Sequence, residues 1–302
     1  MADELVKVAE DSARGGFFLV SGTALSTVIM AVSSILIGRF LGPELYGQYT
    51  LTIVAPQLLF LFTDLGINQG IIKFTASLRS KGAPNRILEI IKYGLILRAS
   101  TGIAISIINY ALADFFASLL LQRPDLAFYI RIASISVLFQ AIFTTATSAF
   151  VGLDKTEYSA LTANIQATAK AIISIGLVLL GFSVAGAVIG YAAGYVVAAV
   201  VGTALLFFLV RGKQKNQNSN SVSDDLKILI WYGALLYISV LLNGCIPLYQ
   251  NVVLAIFTTD ADIGNYKAQQ QISLHLCQFL QFQSRQHFFR HFQNLTPQQT
   301  RK

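Results

Sequence analysis

The chain has 302 residues, of which 54% are hydrophobic and only 12% charged, with a formal net charge of +7. Soluble domains carry roughly 25% charged residues, so this composition excludes an ordinary water-facing globule. A nucleic-acid binder would spread its basic charge over a soluble face. Here Lys and Arg gather in a few segments between apolar runs, the way membrane topology is written.

Residues 1–14 (MADELVKVAEDSAR) set the apolar Leu5 and Val8 among Asp3, Glu4, Lys7, Glu10 and Asp11. This predicts a short amphipathic helix on the membrane surface. The acids exclude a signal-peptide n-region. The first span is expected at 17–37, long enough for a ~30 Å hydrocarbon core. Its hydroxyls (Ser21, Thr23, Ser26, Thr27, Ser33, Ser34) point to packing against other helices or to a cavity wall.

Gly38–Tyr49 (GRFLGPELYGQY) caps this span. Gly42-Pro43 stops one helix and Glu44 opens the next. The second span runs to about Leu65 and contains Pro56, expected to kink it. Residues 66–76 are expected to continue as helix. A basic segment follows (Lys73, Arg79, Lys81, Arg86, Lys92). Further spans are expected at 93–113, 126–150, 158–180 and 187–210. Gly181–Gly186 is a tight turn, and Gly190 and Gly194 form a small-residue pair for close helix approach. Residues 211–227 are a polar linker. A seventh span is expected at 228–246, with 247–257 extending it or starting a half-helix.

One pattern recurs. Phe40-x6-Gly47-Gln48-Tyr49 is echoed by Phe257-x6-Gly264-Asn265-Tyr266 at a constant offset. Two such turns, each after a long apolar run, indicate an internal repeat. The domain reading is a six-span lobe over 1–210, the linker, the start of a second lobe over 228–268, and a tail over 269–302. The tail holds ten glutamines, all three histidines and no Asp or Glu. It is too polar to span lipid. It is expected to be out of frame, so its histidines carry no metal reading.

The fold class is therefore all-α: a polytopic membrane helix bundle. The loop charges place the N-terminus in the cytoplasm of a multi-pass cell-membrane protein. No catalytic grouping, metal-spaced Cys or His set, or cofactor motif is present, so no enzyme activity and no cofactor are expected. The chemistry-bearing candidates are bases at membrane depth: Lys170 and Arg98, with Arg39 and Arg131 nearer the edges. A charge near the bilayer centre costs at least ~2.5 kcal/mol and so faces a cavity or a partner. These four are the candidate substrate-binding residues, lining a cavity for an anionic headgroup. Snorkelling to the edge is the competing account of Arg98. Asp64 and Asp114 are expected to be helix-end caps, leaving no acid to neutralise Lys170.

GRFLGPELYGQY, DLGINQGIIKFTA, VGLDKTEYSALTANIQ and DADIGNYKA, in this order, resemble the polysaccharide biosynthesis/oligosaccharide flippase family of the multidrug/oligosaccharidyl-lipid/polysaccharide exporter superfamily. The resemblance covers about 15–268. It implies two six-helix lobes around a central cavity and alternating access. It also implies a polyprenyl-diphosphate-linked oligosaccharide as substrate, with membrane lipids as partners and a coupling ion left open. The chain departs from the family by ending one helix into the second lobe, so a non-functional remnant is one alternative. A cation-coupled drug antiporter of the same superfamily is another, and it would favour acids in the cavity. A membrane glycosyltransferase would need a metal-binding acid pair, and Asp260-Ala261-Asp262 is better explained by the repeat. A structural membrane protein would not need Lys170.

Overall fold

The computed structural model describes residues 2–81, 84–211 and 222–270, and every regular element among them is helical. The elements are α1 (Ala2–Asp64), α2 (Ile67–Ser80), α3 (Pro84–Ala111), the short α4 (Ala113–Phe115), α5 (Ala127–Gly152), α6 (Thr156–Leu177), α7 (Ser183–Arg211) and α8 (Val222–Phe257). A last helix, α9, occupies 260–270. Of the expected linker at 211–227, residues 212–221 lie outside the described residues and 222–227 already belong to α8; of the glutamine-rich tail at 269–302, residues 271–302 lie outside them.

Among the described residues, four helical stretches are long and apolar enough to cross a membrane: Gly15–Asp64, Arg86–Ala111, Pro124–Gly152 and Thr156–Leu209. Two of them double back. In α1, Gly42 adopts φ 77°, ψ 170°, outside helical space, and Pro43 begins the next limb. Only glycine enters that region without strain, and proline suits the first turn of a helix, so the Gly-Pro pair makes the bend. The fold-back is direct: the Ser34 and Tyr46 hydroxyls, twelve residues apart, share a 2.5 Å hydrogen bond. Between α6 and α7 the chain reverses at Gly181, φ 91°. Each doubled stretch thus supplies two limbs, and with α3 and α5 they make the six apolar limbs expected from the sequence.

Three expectations shift in detail. Residues 2–14 form one helix with the first limb instead of a separate surface helix. The second limb closes at Asp64-Leu65-Gly66 as expected, with Leu65 at φ 47° and Gly66 at φ 78°, but the helix that follows starts afresh at Ile67 and runs to Ser80. Two consecutive left-handed residues cannot belong to a right-handed helix. Pro56 and Pro247 both lie inside helices; Gly42 is the non-helical residue of α1. Residues 247–257 therefore extend the seventh span.

The α6–α7 hairpin is zipped by glycines. A Cβ placed on Gly190 would fall on the Ser174 backbone. One on Gly194 would lie 2.8 Å from the Lys170 Cβ, and one on Gly202 3.0 Å from the Thr162 Cγ2. These pairs step evenly away from the turn at Phe182, as an antiparallel pair must. In lipid, helices associate by such close packing and not by the hydrophobic effect. Gly190→Val is expected to destabilise the fold by about 1–3 kcal/mol. The obstruction is backbone and no rotamer relieves it. Thermal unfolding in detergent measures the loss.

The outward surface is apolar. Ile172, Leu180 and Phe208 are 68%, 74% and 79% exposed, where a soluble protein would place polar groups. Polar side chains are instead gathered inside, including Thr52, Thr63, Arg98, Asn109, Thr145 and Ser174. That inversion is the mark of a bundle solvated by lipid.

The two ends of the bundle are distinct. At one end Arg79 pairs with Asp154 at 3.1 Å, and Gly15 lies against Thr156, whose hydroxyl donates to the Gly15 carbonyl at 2.8 Å. The Gly42 bend, Arg123 and Asp260 lie at the other end.

Candidate functional site

The four basic residues do not converge on one wall. Each sits in a different setting.

Arg98, in α3, is fully buried. Its Nε donates to the Thr145 Oγ1 at 3.2 Å, its Nη1 to the Thr63 Oγ1 at 2.7 Å and its Nη2 to the Thr144 Oγ1 at 3.0 Å. Each threonine passes its own proton on. Thr63 donates to the Phe60 carbonyl, Thr144 to the Gln140 carbonyl, and Thr145 to the Asn68 Oδ1 at 3.1 Å. Asp64 lies 3.9 Å from the guanidinium, and the Phe60 ring 5.7 Å away. Asp64 also caps α2 by accepting from the Asn68 backbone N–H at 3.2 Å. So the expected cap role holds, and Asp64 is in addition the acid facing Arg98. The fork of five donors reaches α1 and α5 at once, which an ammonium could not do. The run of small hydroxyls Thr144-Thr145 is the sequence signal that matches this fork.

Lys170, in α6, is half-buried. Its Nζ lies 3.9 Å from the Met30 Sδ in α1 and 5.4 Å over the Tyr191 ring in α7. Among the described residues no carboxylate lies within ion-pair distance of it. Gly194 lets α7 pass directly over its stem. The surroundings are aromatic and polar: Tyr191 packs edge-on to Tyr195 at 5.2 Å, and Tyr195 to Phe143 at 5.9 Å. One turn from Lys170, the buried Gln166 Nε2 has no protein partner among the described residues. Ser33, one turn from Met30, has a buried Oγ in the same condition, as does the Tyr49 hydroxyl. A cation beside unspent hydrogen-bonding groups suits a polar anion better than it suits lipid.

Arg131 is paired with Asp114 at 2.5 Å and stands 6.0 Å from the Tyr110 ring. The expected helix-end Asp114 is therefore an ion-pair partner. Arg39 is exposed and lines a cavity of about 250 Å³ together with Ser34, Gly38, Pro43, Tyr46 and Gly264.

That cavity lies where the two echoing turns meet. A Cβ on Gly47 would strike the Asp260 carbonyl, and one on Gly264 would strike the Pro43 carbonyl. The contact is reciprocal: Gly47 is to Pro43 as Gly264 is to Asp260, in the repeat and in space. Around it, Arg123 pairs with Asp260 at 2.8 Å and donates to the Thr258 carbonyl at 3.1 Å. Gln48 donates to the Asp260 Oδ2 at 3.3 Å. The sequence alone gives Arg123 no role. Its partner lies 137 residues away.

The polysaccharide biosynthesis protein family model matches residues 12–284. No curated protein matches the chain in sequence. In fold, the chain is similar to the MATE multidrug transporter DinF-BH, with a TM-score of 0.68 at 15% identity, over 89% of this chain and 61% of that one. A MATE family transporter of the MOP superfamily is similar in its outward-facing conformation at TM-score 0.55 and 16% identity, over 76% of this chain and 52% of that one. In its inward-facing conformation the TM-score is 0.52 at 16% identity, over 85% and 57%. The chain thus spans about 61% of the length of DinF-BH. With a family match across most of its length and a lipid-facing helical bundle, the chain is a multi-pass membrane protein that belongs to the polysaccharide biosynthesis protein family.

Proposed function

We propose that this chain belongs to a transporter that moves polyprenyl-diphosphate-linked oligosaccharides from the cytoplasmic to the outer leaflet of the cell membrane by alternating access. The observation that carries the substrate class is Lys170. It is a cation in an internal seam with no carboxylate in reach among the described residues, and the buried Gln166 Nε2, one turn away on the same helix, has no partner among them. A diphosphate would supply the missing negative charge and several hydrogen-bond acceptors. Among the four basic residues, the headgroup contact is read at Lys170, and Arg98, bonded to threonines of α1 and α5, is read as holding α1, α3 and α5 together. Arg39 lines the cavity at the turns, and Arg131 is committed to Asp114.

The orientation reading follows the same charges. The end that carries Arg79 and Lys155 faces the cytoplasm, and the end with the Gly42 bend faces outward. Residues 1–210 are read as the first lobe, and α8 with α9 as the start of a second.

The solved neighbours are titled multidrug transporters, which favours a drug antiporter as the second reading. A cation-coupled antiporter needs an unpaired internal acid. Here the internal acid Asp64 is beside Arg98. The two readings separate in proteoliposomes. The protein is expected to transfer a fluorescent polyprenyl-diphosphate glycolipid between leaflets and to leave a cationic dye gradient unchanged. Dye efflux without glycolipid transfer overturns the proposal.

A further inference from the structure

We infer that the paired turns form an outward-side latch between the two lobes, closed here, which must break each time the transporter opens outward. The inference rests on the two-lobe reading above. It goes beyond it by naming the residues that hold one closed end.

Four contacts converge on a single spot. The backbones of the two turns meet at Gly47 and Gly264, each lying on the carbonyl of the other turn's helix start, Asp260 and Pro43. Any side chain at either glycine would push the turns apart, so this crossing requires glycine at both positions of the repeat. A repeated unit that meets its own copy through the same residues forms a self-complementary junction. Over this crossing, Arg123, from the α4–α5 connection, pairs with Asp260 and binds the Thr258 carbonyl. Gln48 holds the same carboxylate. Beneath it, Leu51, Leu126 and Ile130 of the first lobe form one buried cluster with Leu248, Ala255 and Ile263 of α8 and α9.

The composition of the junction favours a reversible contact over a permanent one. The ion pair is partly open to solvent, with Arg123 26% and Asp260 13% exposed. Partly exposed pairs exchange for water at small cost. Parting the turns also separates the apolar cluster beneath them, so Leu51 is shielded while they stay together and is reached by water once they part.

The test uses accessibility and needs no substrate. In the full chain with Cys245→Ser and Cys277→Ser, Leu51→Cys places a thiol in the buried cluster under the latch. Labelling by a membrane-impermeant maleimide from outside sealed cells is measured. Arg123→Asp and Asp260→Arg, each alone, are expected to speed labelling about five- to tenfold, the population shift that loss of one partly shielded pair gives. The two together restore the pair in reverse and return the rate to the parent's. Unchanged labelling in the single variants, or a doubled variant as fast as the singles, overturns the latch. Where a reversed charge prevents folding, Arg123→Cys with Asp260→Cys answers instead. Bridging them with a short reducible bifunctional thiol reagent is expected to stop glycolipid transfer, and reductant to restore it. Undiminished transfer by the bridged protein overturns the inference. A protein that moves no glycolipid but shows the labelling pattern keeps the latch and refutes the substrate.

Discussion

Arg98→Ala is expected to cost about 3–5 kcal/mol of stability, the loss that follows when one partner of a buried charged network is removed. Three threonine hydroxyls on two helices are oriented to receive its N–H groups, and Asp64 faces it at 3.9 Å. Removal leaves those oxygens without donors and Asp64 with only the α2 backbone to bind. It also empties the volume of a large, fully buried side chain. Arg98→Lys keeps the charge but cannot span the same acceptors, so it recovers less than half of the loss. Heating the detergent-solubilised protein while following helical circular dichroism checks both. If Arg98 instead contacted substrate from an open cavity, Arg98→Ala would melt like the parent and only transfer would fall. Equal melting curves would therefore remove the network from this account.

Lys170→Met is expected to do the opposite on both counts. The Lys170 ammonium lies over an aromatic ring and against a thioether, with no acid near it. Burying an uncompensated charge is costly, and insertion scales put it at ~2.5–3.5 kcal/mol for a helix centre. Methionine has similar length and no charge, so the variant is expected to be more stable by about 1–2 kcal/mol, once cation–π stabilisation and partial hydration are discounted. Transfer of the diphosphate lipid is expected to fall at least tenfold, about 1.4 kcal/mol in apparent barrier. A gain in stability with loss of activity is the mark of a site strained for its task. Lys170→Arg keeps the charge and is expected to retain measurable transfer. A Lys170→Met protein that melts higher and still flips lipid at the parent rate would place the diphosphate elsewhere.

The two variants together test whether basic residues inside apolar runs of one sequence play unlike parts. The sequence sets Lys170 deeper, where snorkelling is harder, and leaves snorkelling open for Arg98. It names a partner for neither. What separates them is supplied by other helices. Thr63 and Asp64 come from the second limb of α1 and Thr144-Thr145 from α5, and together they enclose Arg98. Met30, Tyr191 and Gly194 leave Lys170 a polar but acid-free surround. The sequence expectation of a shared cationic cavity could not resolve this, because partner choice depends on which helix faces are turned inward.

The helices themselves were legible in the chain. An apolar run long enough to cross lipid must hydrogen-bond its own backbone, and a helix does so within the segment. Punctuation was legible too: Gly42-Pro43 and Gly181 end limbs because glycine alone tolerates the backbone they need. Gly190 and Gly194 announced a close helix contact without naming its partner, α6. The close of the second limb at Asp64-Leu65-Gly66 was legible as well, but the left-handed backbone of Leu65 was not, since it goes against leucine's own preference.

The repeat of Phe40–Tyr49 at Phe257–Tyr266 marks the division. Local chemistry fixes two similar turns, each after a long apolar limb. That the two turns lie on each other, glycine to carbonyl in both directions, and that Arg123 closes over them, is a property of the assembled bundle. Those contacts join residues more than a hundred positions apart. Propensity and periodicity act over a few turns of helix and cannot reach that far. The placement is decided by which apolar faces pack and by which internal polar groups must find one another where water cannot serve them.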